Sequence, residues 1–357
     1  MIYPVFLPHA GCPFQCVYCN QRVTVSGESG EGGIAAFVRA RLAEYGSRVE
    51  RSGRSGEIAF YGGTFTALPL ALVEEILSAC EPFVSRGIFT GVRFSTRPDC
   101  LQADVVGLLS RYPVRTVELG VQSLSDTVLE KSRRGYDTRT VFQAAKAVKQ
   151  NGWSLGVQLM AGLPGDSAQI FLLSIKKALG TGADFFRIYP TLVLEGTALA
   201  RAYREGAYTP WSLEEAVANL APAYGLALEA RVPVIRMGLQ ADAALEKPGV
   251  VVAGPYHPAF GALVKARWWR ARIDARLGLE GVAPGAEVMI HVAPDQVSDV
   301  IGNRKSNLLH WQKKWYIRAR VVGDSDLGGI ETSWKITSSN RDISPSSERP
   351  TPGNRPC

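Results

Sequence analysis

Apolar positions along the first 190 residues follow two spacings. Short β-branched and aromatic runs predict strands, and longer stretches with apolar residues three and four apart predict helices between them. The predicted strands are 2–7, 57–61, 91–95, 114–121, 154–160 and 184–189, and the predicted helices are 34–45, 70–84, 104–110, 138–151 and 168–179. Strand-helix units in this order imply a parallel sheet with right-handed crossovers. We therefore predict an α/β fold, a partial (β/α)6 TIM-like barrel with its active site at the carboxyl ends of the strands.

The pattern changes in the last third of the chain. After a further predicted strand over 234–240, residues 262–322 are expected to fold as helix, strand, helix and strand, which predicts a small α+β subdomain. The end of the chain is expected to be disordered, since 338–357 are rich in Ser, Pro and Arg. We therefore expect a core domain over 1–261, the small subdomain, and a tail over 323–357.

Positive charge is concentrated in the small subdomain. The whole chain has 357 residues and a net charge of +7, and 262–322 holds eleven Lys or Arg against five Asp or Glu, which gives +6. A basic surface of this kind suits a polyanion such as RNA. A solvated surface without a partner explains the same charge equally well.

Composition favours a soluble intracellular protein. Hydrophobic residues make up 46% of the sequence, and no segment reaches the roughly 18 consecutive apolar residues that a membrane helix needs. The first residues lack a basic leader and a small-residue cleavage site, so they predict a strand and not a signal peptide. We expect a cytoplasmic protein without membrane association.

Three cysteines, Cys12, Cys16 and Cys19, lie within eight residues just after the first predicted strand. Three thiolates at this spacing can hold an iron-sulfur cluster and leave one iron without a protein ligand. Zinc is the alternative, but a structural zinc site needs four ligands, and His9 is the nearby candidate for the fourth. A disulfide is less favoured, because three is an odd number and the chain is long enough to form a core without crosslinks.

Glycines and amides follow other predicted strands at the same edge of the sheet. Gly62 and Gly63 come directly after the second strand, Gln122 ends the fourth, and Gln158 lies near the end of the fifth. Glycines let backbone N–H and C=O groups approach a ligand closely. Because parallel strands end at one edge, we expect these loops to converge beside the cysteines and to bind an amino-acid-like ligand.

The Cys-x3-Cys-x2-Cys spacing and the Gly-Gly element resemble the signature of the radical S-adenosylmethionine superfamily, over about 260 residues. Within it the strongest resemblance is to the radical domain of the Elongator catalytic subunit, and oxygen-independent coproporphyrinogen oxidases look more distant. The segments that carry the resemblance are 119–123, 159–165 and 187–197. The acetyltransferase domain of the Elongator subunit is not expected within these 357 residues.

The resemblance implies two cofactors, a [4Fe-4S] cluster held by the three cysteines and S-adenosylmethionine bound to the fourth iron. The residues implied to surround S-adenosylmethionine are Tyr18 at the adenine, Gly62, Gly63 and Thr64 at the methionine amino group, Gln122, and Arg134 at a carboxylate. Ser95 and Gln158 stand where relatives usually carry acidic residues, so they would offer uncharged hydrogen bonds. Packing is the alternative role for Tyr18, and a surface charge is the alternative for Arg134.

The resemblance also implies a reaction. An electron from a donor such as flavodoxin or ferredoxin reduces the cluster, S-adenosylmethionine is cleaved, and the 5′-deoxyadenosyl radical abstracts hydrogen from the substrate. The Elongator resemblance implies transfer RNA as that substrate. Two alternatives are the same chemistry on a small molecule such as a tetrapyrrole, and a non-catalytic iron-sulfur or zinc protein that binds RNA.

The basic subdomain offers candidate RNA contacts of two kinds. Trp268, Trp269, Trp311 and Trp315 are interleaved with basic residues and would stack on bases. Residues 300–305 resemble the start of a KH-type RNA-binding loop, with a lysine where that loop has its second glycine. A small packing subdomain with buried tryptophans is the alternative.

Overall fold

The computed structural model describes residues 1–7, 12, 14–20, 33–239, 245–327, 334–338 and 341–343. The chain forms two compact units, Met1–Gly261 and Ala262–Cys357. His9, the candidate fourth zinc ligand, lies outside the described residues. Among the helices that are described, none is both long and apolar enough to cross a membrane.

A seven-stranded parallel sheet forms the centre of the first unit. Its strands, in spatial order, are β1 (Ile2–Phe6), β2 (Gly56–Tyr61), β3 (Phe89–Thr96), β4 (Val114–Gln122), β5 (Ser154–Ala161), β6 (Phe185–Pro190) and β8 (Val234–Met237). A separate antiparallel pair joins β7 (Val193–Leu194) to β9 (Val251–Ala253). All six neighbouring pairs of the main sheet are parallel, which confirms the predicted partial barrel.

Helices connect the successive strands of this sheet. They are α1 (Gly33–Ser52), α2 (Leu70–Ser85), α3 (Ala103–Leu109), α4 (Asp126–Lys131), α5 (Thr138–Gln150), α6 (Ala168–Leu179), α7 (Ala198–Arg204) and α8 (Leu213–Glu229). The first helix runs well past its predicted end, because Gly46 and Val49 continue its buried face. The short helices α4 and α7, and also α8, were not predicted.

Polar residues fix where four of these helices begin. Asp137, Ser167, Thr197 and Ser212 each stand at the N-cap and accept a hydrogen bond from the backbone N–H three residues later. Such caps satisfy one of the unpaired donors in the first turn and typically contribute about 1 kcal/mol each. They fix the connections that bring the strand ends and the following loops to one edge.

The hydrophobic core lies between the sheet and its helices. Val117 and Leu119 of β4 are fully buried, and three phenylalanines from neighbouring elements stack on one another. The ring centres of Phe60 and Phe65 are 5.2 Å apart, and those of Phe65 and Phe94 are 4.9 Å apart. Because side chains alternate along a strand, the residues between these core positions point to the opposite, concave face of the sheet.

The second unit contains a four-stranded sheet in the order β11-β10-β12-β13. Its elements are α9 (Phe260–Glu280, which begins in the first unit), β10 (Glu287–Val292), α10 (Val297–Ile301), α11 (Ser306–Trp315), β11 (Arg318–Gly323), β12 (Trp334–Ser338) and β13 (Arg341–Ile343). The strands β10 and β11 are parallel, and the two helices α10 and α11 form the crossover between them.

The tail differs from the expected disorder over 323–357. Strand β12 pairs antiparallel with β10, and β13 pairs with β12, so part of this segment completes the sheet. Ile336 is buried within β12 and supplies the apolar contact that keeps the strand on the sheet. The Ser- and Pro-rich residues from 344 onward lie outside the described residues.

Candidate active site at the carboxyl ends of the strands

The cysteine loop is attached to two other parts of the first unit through Val17. The Val17 backbone N–H donates to the Ser132 carbonyl at 3.3 Å, and the Val17 carbonyl accepts from the Leu199 N–H at 2.8 Å. Within the loop, the Cys19 N–H donates to the Cys16 carbonyl at 3.1 Å. These bonds hold the second half of the cysteine motif between the end of α4 and the start of α7.

Arg134 lies directly against the middle cysteine. Its Nη1 atom is 3.1 Å from the Cys16 Sγ and 3.1 Å from the Tyr18 Oη. Its Nη2 atom donates to the Gly120 carbonyl at 2.6 Å, and Nε and Nη2 also reach the Tyr136 Oη. Arg134 is 5% exposed, so its charge lies beside this thiol with little screening by water.

A β-bulge at the end of β4 explains why Arg134 and Tyr136 point here. The register with β5 shifts between Gly120 and Gln122, which leaves Val121 as the extra residue. The Tyr136 Oη donates to the carbonyls of Gly120 at 2.8 Å and of Val121 at 3.1 Å. Backbone acceptors freed by the bulge are thereby satisfied by side chains of the α4–α5 loop.

Arg97, which follows β3, is a second buried guanidinium near the same cysteine. Its Nη1 atom is 3.9 Å from the Cys16 Sγ, and it forms a two-point ion pair with Asp99 at 2.8 and 2.9 Å. Its guanidinium carbon lies 5.0 Å from the ring centre of Phe14 and 5.2 Å from that of Tyr136. Both contacts are within the range of cation–π attraction.

The glycine loop after β2 reaches the first cysteine. The Cys12 Sγ and the Thr64 Oγ1 are 3.1 Å apart. Gly62 has a φ of +107°, and a side chain there would meet the Leu7 carbonyl oxygen at 2.3 Å, so the turn requires glycine. Gly62, Gly63, Thr64 and Ser95 line one small cavity, which brings together four of the residues predicted to bind the cofactor.

Two amides form a further pair at this edge. The Gln158 Nε2 donates to the Gln122 Oε1 at 3.2 Å. Gln122 is buried and has a left-handed φ of +67°, which is uncommon for a residue other than glycine. Such strain persists where the surroundings hold it, and it frequently accompanies a functional site. The bulge therefore places the Gln122 amide next to the strand-end loops.

Tyr18 combines packing with a polar contact. It lies against the cluster of Val17, Val193, Leu199 and Ala200, and its hydroxyl accepts from Arg134. Burial raises the pKa of Tyr18 well above its ordinary value, partly offset by the Arg134 charge. Tyr18 is therefore a neutral side chain whose ring packs beside the cysteine loop; contact with an adenine remains a prediction.

The chemistry of the donor set fits an iron-sulfur cluster. Cys12, Cys16 and Cys19 are free thiols, and buried cationic side chains stand beside one of them to balance thiolate charge. Within the described ranges, no three His, Cys, Asp or Glu side chains are close enough together to hold a metal ion. The three thiols would lose their protons on binding a cluster, because the thiolate is the form that ligates metal.

Sequence reasoning missed a network of charged residues on the concave face of the sheet. The Glu118 carboxylate accepts from Tyr61 at 2.9 Å, and it forms ion pairs with Arg93 at 3.0 Å and Arg187 at 2.7 Å. Arg93 also pairs with Glu57 at 2.7 Å. Glu118 is 3% exposed, so this is a nearly buried array of two carboxylates and two guanidiniums. Alternation of charged and apolar residues in β3 and β4 was the signal that could have revealed it.

Asp166 shapes the loop after β5 and was also missed. Its two carboxylate oxygens accept from the backbone N–H groups of Gly162 and Ser167, both at 2.9 Å, while the Tyr208 Oη donates to the Gly162 carbonyl at 2.6 Å. Burial raises the pKa of Asp166 to about 6, despite the two backbone hydrogen bonds that lower it. The loop thus contains a carboxyl group that titrates near neutral pH.

This pKa predicts how stability depends on pH. A carboxyl whose pKa is raised by folding contributes stability that is fully present below its unfolded pKa of about 4 and is lost as the pH rises through about 6. The unfolding free energy of the native chain minus that of Asp166→Asn should therefore be about 2 kcal/mol lower at pH 7 than at pH 4. Urea unfolding across that interval measures it, and a difference that stays constant would contradict the raised pKa.

Two family models match most of the chain. The model of the radical SAM superfamily matches residues 6–177, and the model of the radical SAM C-terminal domain matches residues 183–270. The first contains the cysteine motif and the strands β2 to β5, and the second begins just before β6. The chain spans less than two thirds of the length of the curated relatives it matches.

Individual relatives agree with this assignment. The tRNA uridine(34) acetyltransferase of Methanocaldococcus infernus is 32% identical over 126 residues, which cover 34% of this chain and 23% of that protein. Elongator complex protein 3 of Homo sapiens is 26% identical over 245 residues, covering 57% of this chain and 45% of that protein. These matches confirm the predicted resemblance to the Elongator subunit.

A solved structure shares the fold. The archaeal Methanocaldococcus infernus Elp3 superposes with a TM-score of 0.54 at 21% identity, covering 78% of this chain and 63% of that one. The parallel half-barrel, the three cysteines after its first strand and the two family models lead to the same conclusion. The chain belongs to the radical S-adenosylmethionine superfamily of enzymes, which use a [4Fe-4S] cluster and S-adenosylmethionine as cofactors.

Proposed function

We propose that this chain cleaves S-adenosylmethionine reductively and uses the 5′-deoxyadenosyl radical to abstract hydrogen from RNA, with transfer RNA as the favoured substrate. When bound, the two cofactors supply the one-electron cleavage. Cys12, Cys16 and Cys19 hold the cluster in this proposal. An electron donor such as flavodoxin or ferredoxin would supply the electron.

The residues around the cysteines have distinct roles in this proposal. Gly62 and Gly63 leave backbone groups open to the amino group of the ligand, and Thr64 lies between this turn and Cys12. Ser95 and the Gln122–Gln158 amide pair offer neutral hydrogen bonds to ribose hydroxyls. These groups orient the ligand without adding charge to a site that already contains thiolates.

The observation that favours RNA is the loop between α10 and α11. It connects two helices that join parallel strands, and its residues Asn303, Arg304 and Lys305 are exposed. Gly302, Arg304 and Lys305 have left-handed φ values of 76°, 51° and 61°. A helix-loop-helix of this kind, placed between two strands, is typical of KH domains, whose loop binds the nucleic-acid backbone.

Lys305 stands in place of the second KH glycine. Its left-handed φ is a backbone conformation that a glycine would adopt easily. Two more arginines, Arg318 and Arg320, lie exposed on the neighbouring strand β11. The Arg318 side chain is 82% exposed. Exposed cations of this kind are suited to phosphates.

The tryptophans do not support base stacking as first expected. Trp268, Trp269 and Trp311 are at most 6% exposed and belong to the core of the second unit. The Trp315 Nε1 donates to the Asp274 carboxylate at 2.8 Å. The packing alternative therefore holds for the three buried rings. The case for RNA rests on the exposed cations of the loop and of β11, and on the similarity to a tRNA uridine(34) acetyltransferase.

Salt-dependent filter binding of transfer RNA to the full chain tests this proposal. Arg304→Gln with Lys305→Gln removes two cations from the loop, so the slope of log affinity against log salt should become shallower by about 1.4. The matched control, Arg48→Gln with Arg51→Gln, removes two exposed cations from α1 and should leave the slope unchanged. Equal slopes for the two double variants would contradict binding at this loop. Formation of 5′-deoxyadenosine without any RNA binding would favour a small-molecule substrate.

A further inference from the structure

The concave face of strand β1 is apolar and exposed. On the other face of the strand, Tyr3 and Val5 are buried, and the Tyr3 ring centre lies 5.5 Å from that of Tyr45 in α1. Because side chains alternate along a strand, Ile2 and Phe6 point to the concave face, where they are 38% and 53% exposed. The strand therefore presents an apolar strip to the interior of the half-barrel, and Phe6 is the member of the strip nearest the strand-end loops.

A second aromatic ring holds Phe6 in place. Phe6 is the register partner of Tyr61 on β2, and their ring centres are 6.0 Å apart with planes inclined at 37°. The Tyr61 hydroxyl donates to Glu118 at 2.9 Å and accepts from Arg187 at 3.2 Å. The guanidinium carbon of Arg187 also lies 5.5 Å from the centre of the Tyr61 ring. Since both the hydroxyl and one ring face of Tyr61 are fixed, the two rings form a preorganised aromatic platform.

The platform lies next to the glycine turn after β2. Tyr61 directly precedes Gly62, and the Leu7 backbone N–H donates to the Tyr61 carbonyl at 2.7 Å. Leu7 and Tyr61 also line the small cavity that contains Gly62. A ring stacked on Phe6 would therefore lie beside the loop at which the proposed function places the amino group of S-adenosylmethionine.

We propose that Phe6 binds one unpaired nucleobase of the RNA substrate by stacking and holds it inside the half-barrel beside the strand-end loops. This inference rests on the RNA substrate proposed above and adds the site that receives the base. A base within a duplex cannot enter such a site, so enzymes that act on bases use single-stranded nucleotides or extrude the base from the helix. An aromatic side chain accepts any base, because every base has a π face.

The charged network next to the platform suits a neutral ring. Arg187 and Arg93 form ion pairs with Glu118 at 2.7 and 3.0 Å, and Arg93 also pairs with Glu57 at 2.7 Å. Two carboxylates therefore compensate the charges of these two guanidiniums. A ligand with several carboxylates, such as a tetrapyrrole, would have to compete with them, whereas a nucleobase brings no charge.

Filter binding of transfer RNA to the anaerobically reconstituted full chain, with S-adenosylmethionine present, tests the proposal. Phe6→Ala should weaken the affinity by about 5-fold to about 100-fold, the range expected for the loss of one base–aromatic stack. The slope of log affinity against log salt should stay that of the native chain, because an aromatic ring neutralises no phosphate. The matched control is Phe142→Ala, which removes a 39% exposed ring from α5 and should leave the affinity unchanged.

Two further variants separate stacking from packing. Phe6→Trp keeps an aromatic face and should bind transfer RNA at least as tightly as the native chain, whereas Phe6→Leu keeps an apolar side chain without a π face and should weaken binding as Phe6→Ala does. Native affinity in Phe6→Leu, or equal affinities for Phe6→Ala and Phe142→Ala, would overturn the proposal.

The same experiment distinguishes this inference from the proposed function. A native chain that does not bind transfer RNA would contradict both. Transfer RNA that stimulates the formation of 5′-deoxyadenosine equally in the native chain and in Phe6→Ala, with equal affinities, would overturn the role of Phe6 alone. Binding that depends on Phe6, without any formation of 5′-deoxyadenosine, would support the base site and contradict the radical chemistry.

Discussion

Replacing Cys16 with alanine should abolish both the cluster and the formation of 5′-deoxyadenosine. A cluster held by three thiolates loses one of its three protein ligands, and the two buried guanidiniums beside Cys16 lose the negative charge that they face. Iron and sulfide per chain should fall to background after anaerobic reconstitution. Chromatography after reduction with S-adenosylmethionine should detect no product.

Cys80→Ala is the matched control for this experiment. Cys80 is fully buried in α2, its thiol donates to the Ile76 carbonyl at 3.3 Å, and burial raises its pKa to about 12. A thiol that stays protonated is a poor metal ligand, so this variant should keep a full cluster. Zinc without iron in the native chain, or full iron in Cys16→Ala, would contradict the assignment of the cysteine motif.

Replacing Glu118 with glutamine should cost about 3–5 kcal/mol of unfolding free energy. The change removes the carboxylate that Arg93, Arg187 and Tyr61 share, and it leaves two nearly buried guanidiniums with less compensation. Breaking a buried ion pair from one side is costly because the remaining charge is still desolvated. Urea unfolding of the full chain measures the loss.

An exposed ion pair on the same unit provides the comparison. Glu74 pairs with Arg111 at 3.1 Å, and the two side chains are 47% and 61% exposed. Glu74→Gln should cost less than about 1 kcal/mol, since water and salt screen such pairs. Equal losses for the two variants would show that the concave-face network is solvated and contributes little to stability.

The sheet was predictable because its two faces have different chemistry. Buried residues such as Val117 and Leu119 mark the helix side of β4, and a half-buried strand pattern of this kind can be recognised from sequence alone. The concave face was harder to predict. Glu118 interrupts an apolar strand without indicating its partners, which come from β2, β3 and β6 and meet only when the sheet forms.

The site was predictable to the extent that its residues are close in sequence. The spacing of the cysteines and the Gly62–Gly63 turn carry their chemistry locally. The contact between Arg134 and Cys16 joins residues 118 positions apart and depends on a bulge in β4, so the sequence suggested only a surface charge or a carboxylate ligand. Arg97 was not predicted to belong to the site, because its contact with the Cys16 sulfur likewise joins residues that are far apart in sequence.

The second unit shows where charge patterns mislead. Tryptophans interleaved with arginines suggested a stacking surface, but α9 buries both Trp268 and Trp269 and places their rings 4.9 Å apart edge to face. Composition alone does not reveal which side of a helix packs. Strand β12 has only 5 residues and lies in a polar segment, so its short apolar alternation did not predict a strand in the tail.

Radical chemistry on RNA is the function that we propose for this chain. Its most direct test is anaerobic incubation of the reconstituted, reduced full chain with S-adenosylmethionine, in the presence and absence of transfer RNA, followed by quantification of 5′-deoxyadenosine. We predict product formation that transfer RNA stimulates and that Cys16→Ala lacks. An intact four-iron cluster that yields no more 5′-deoxyadenosine than Cys16→Ala, with or without transfer RNA, would contradict the account.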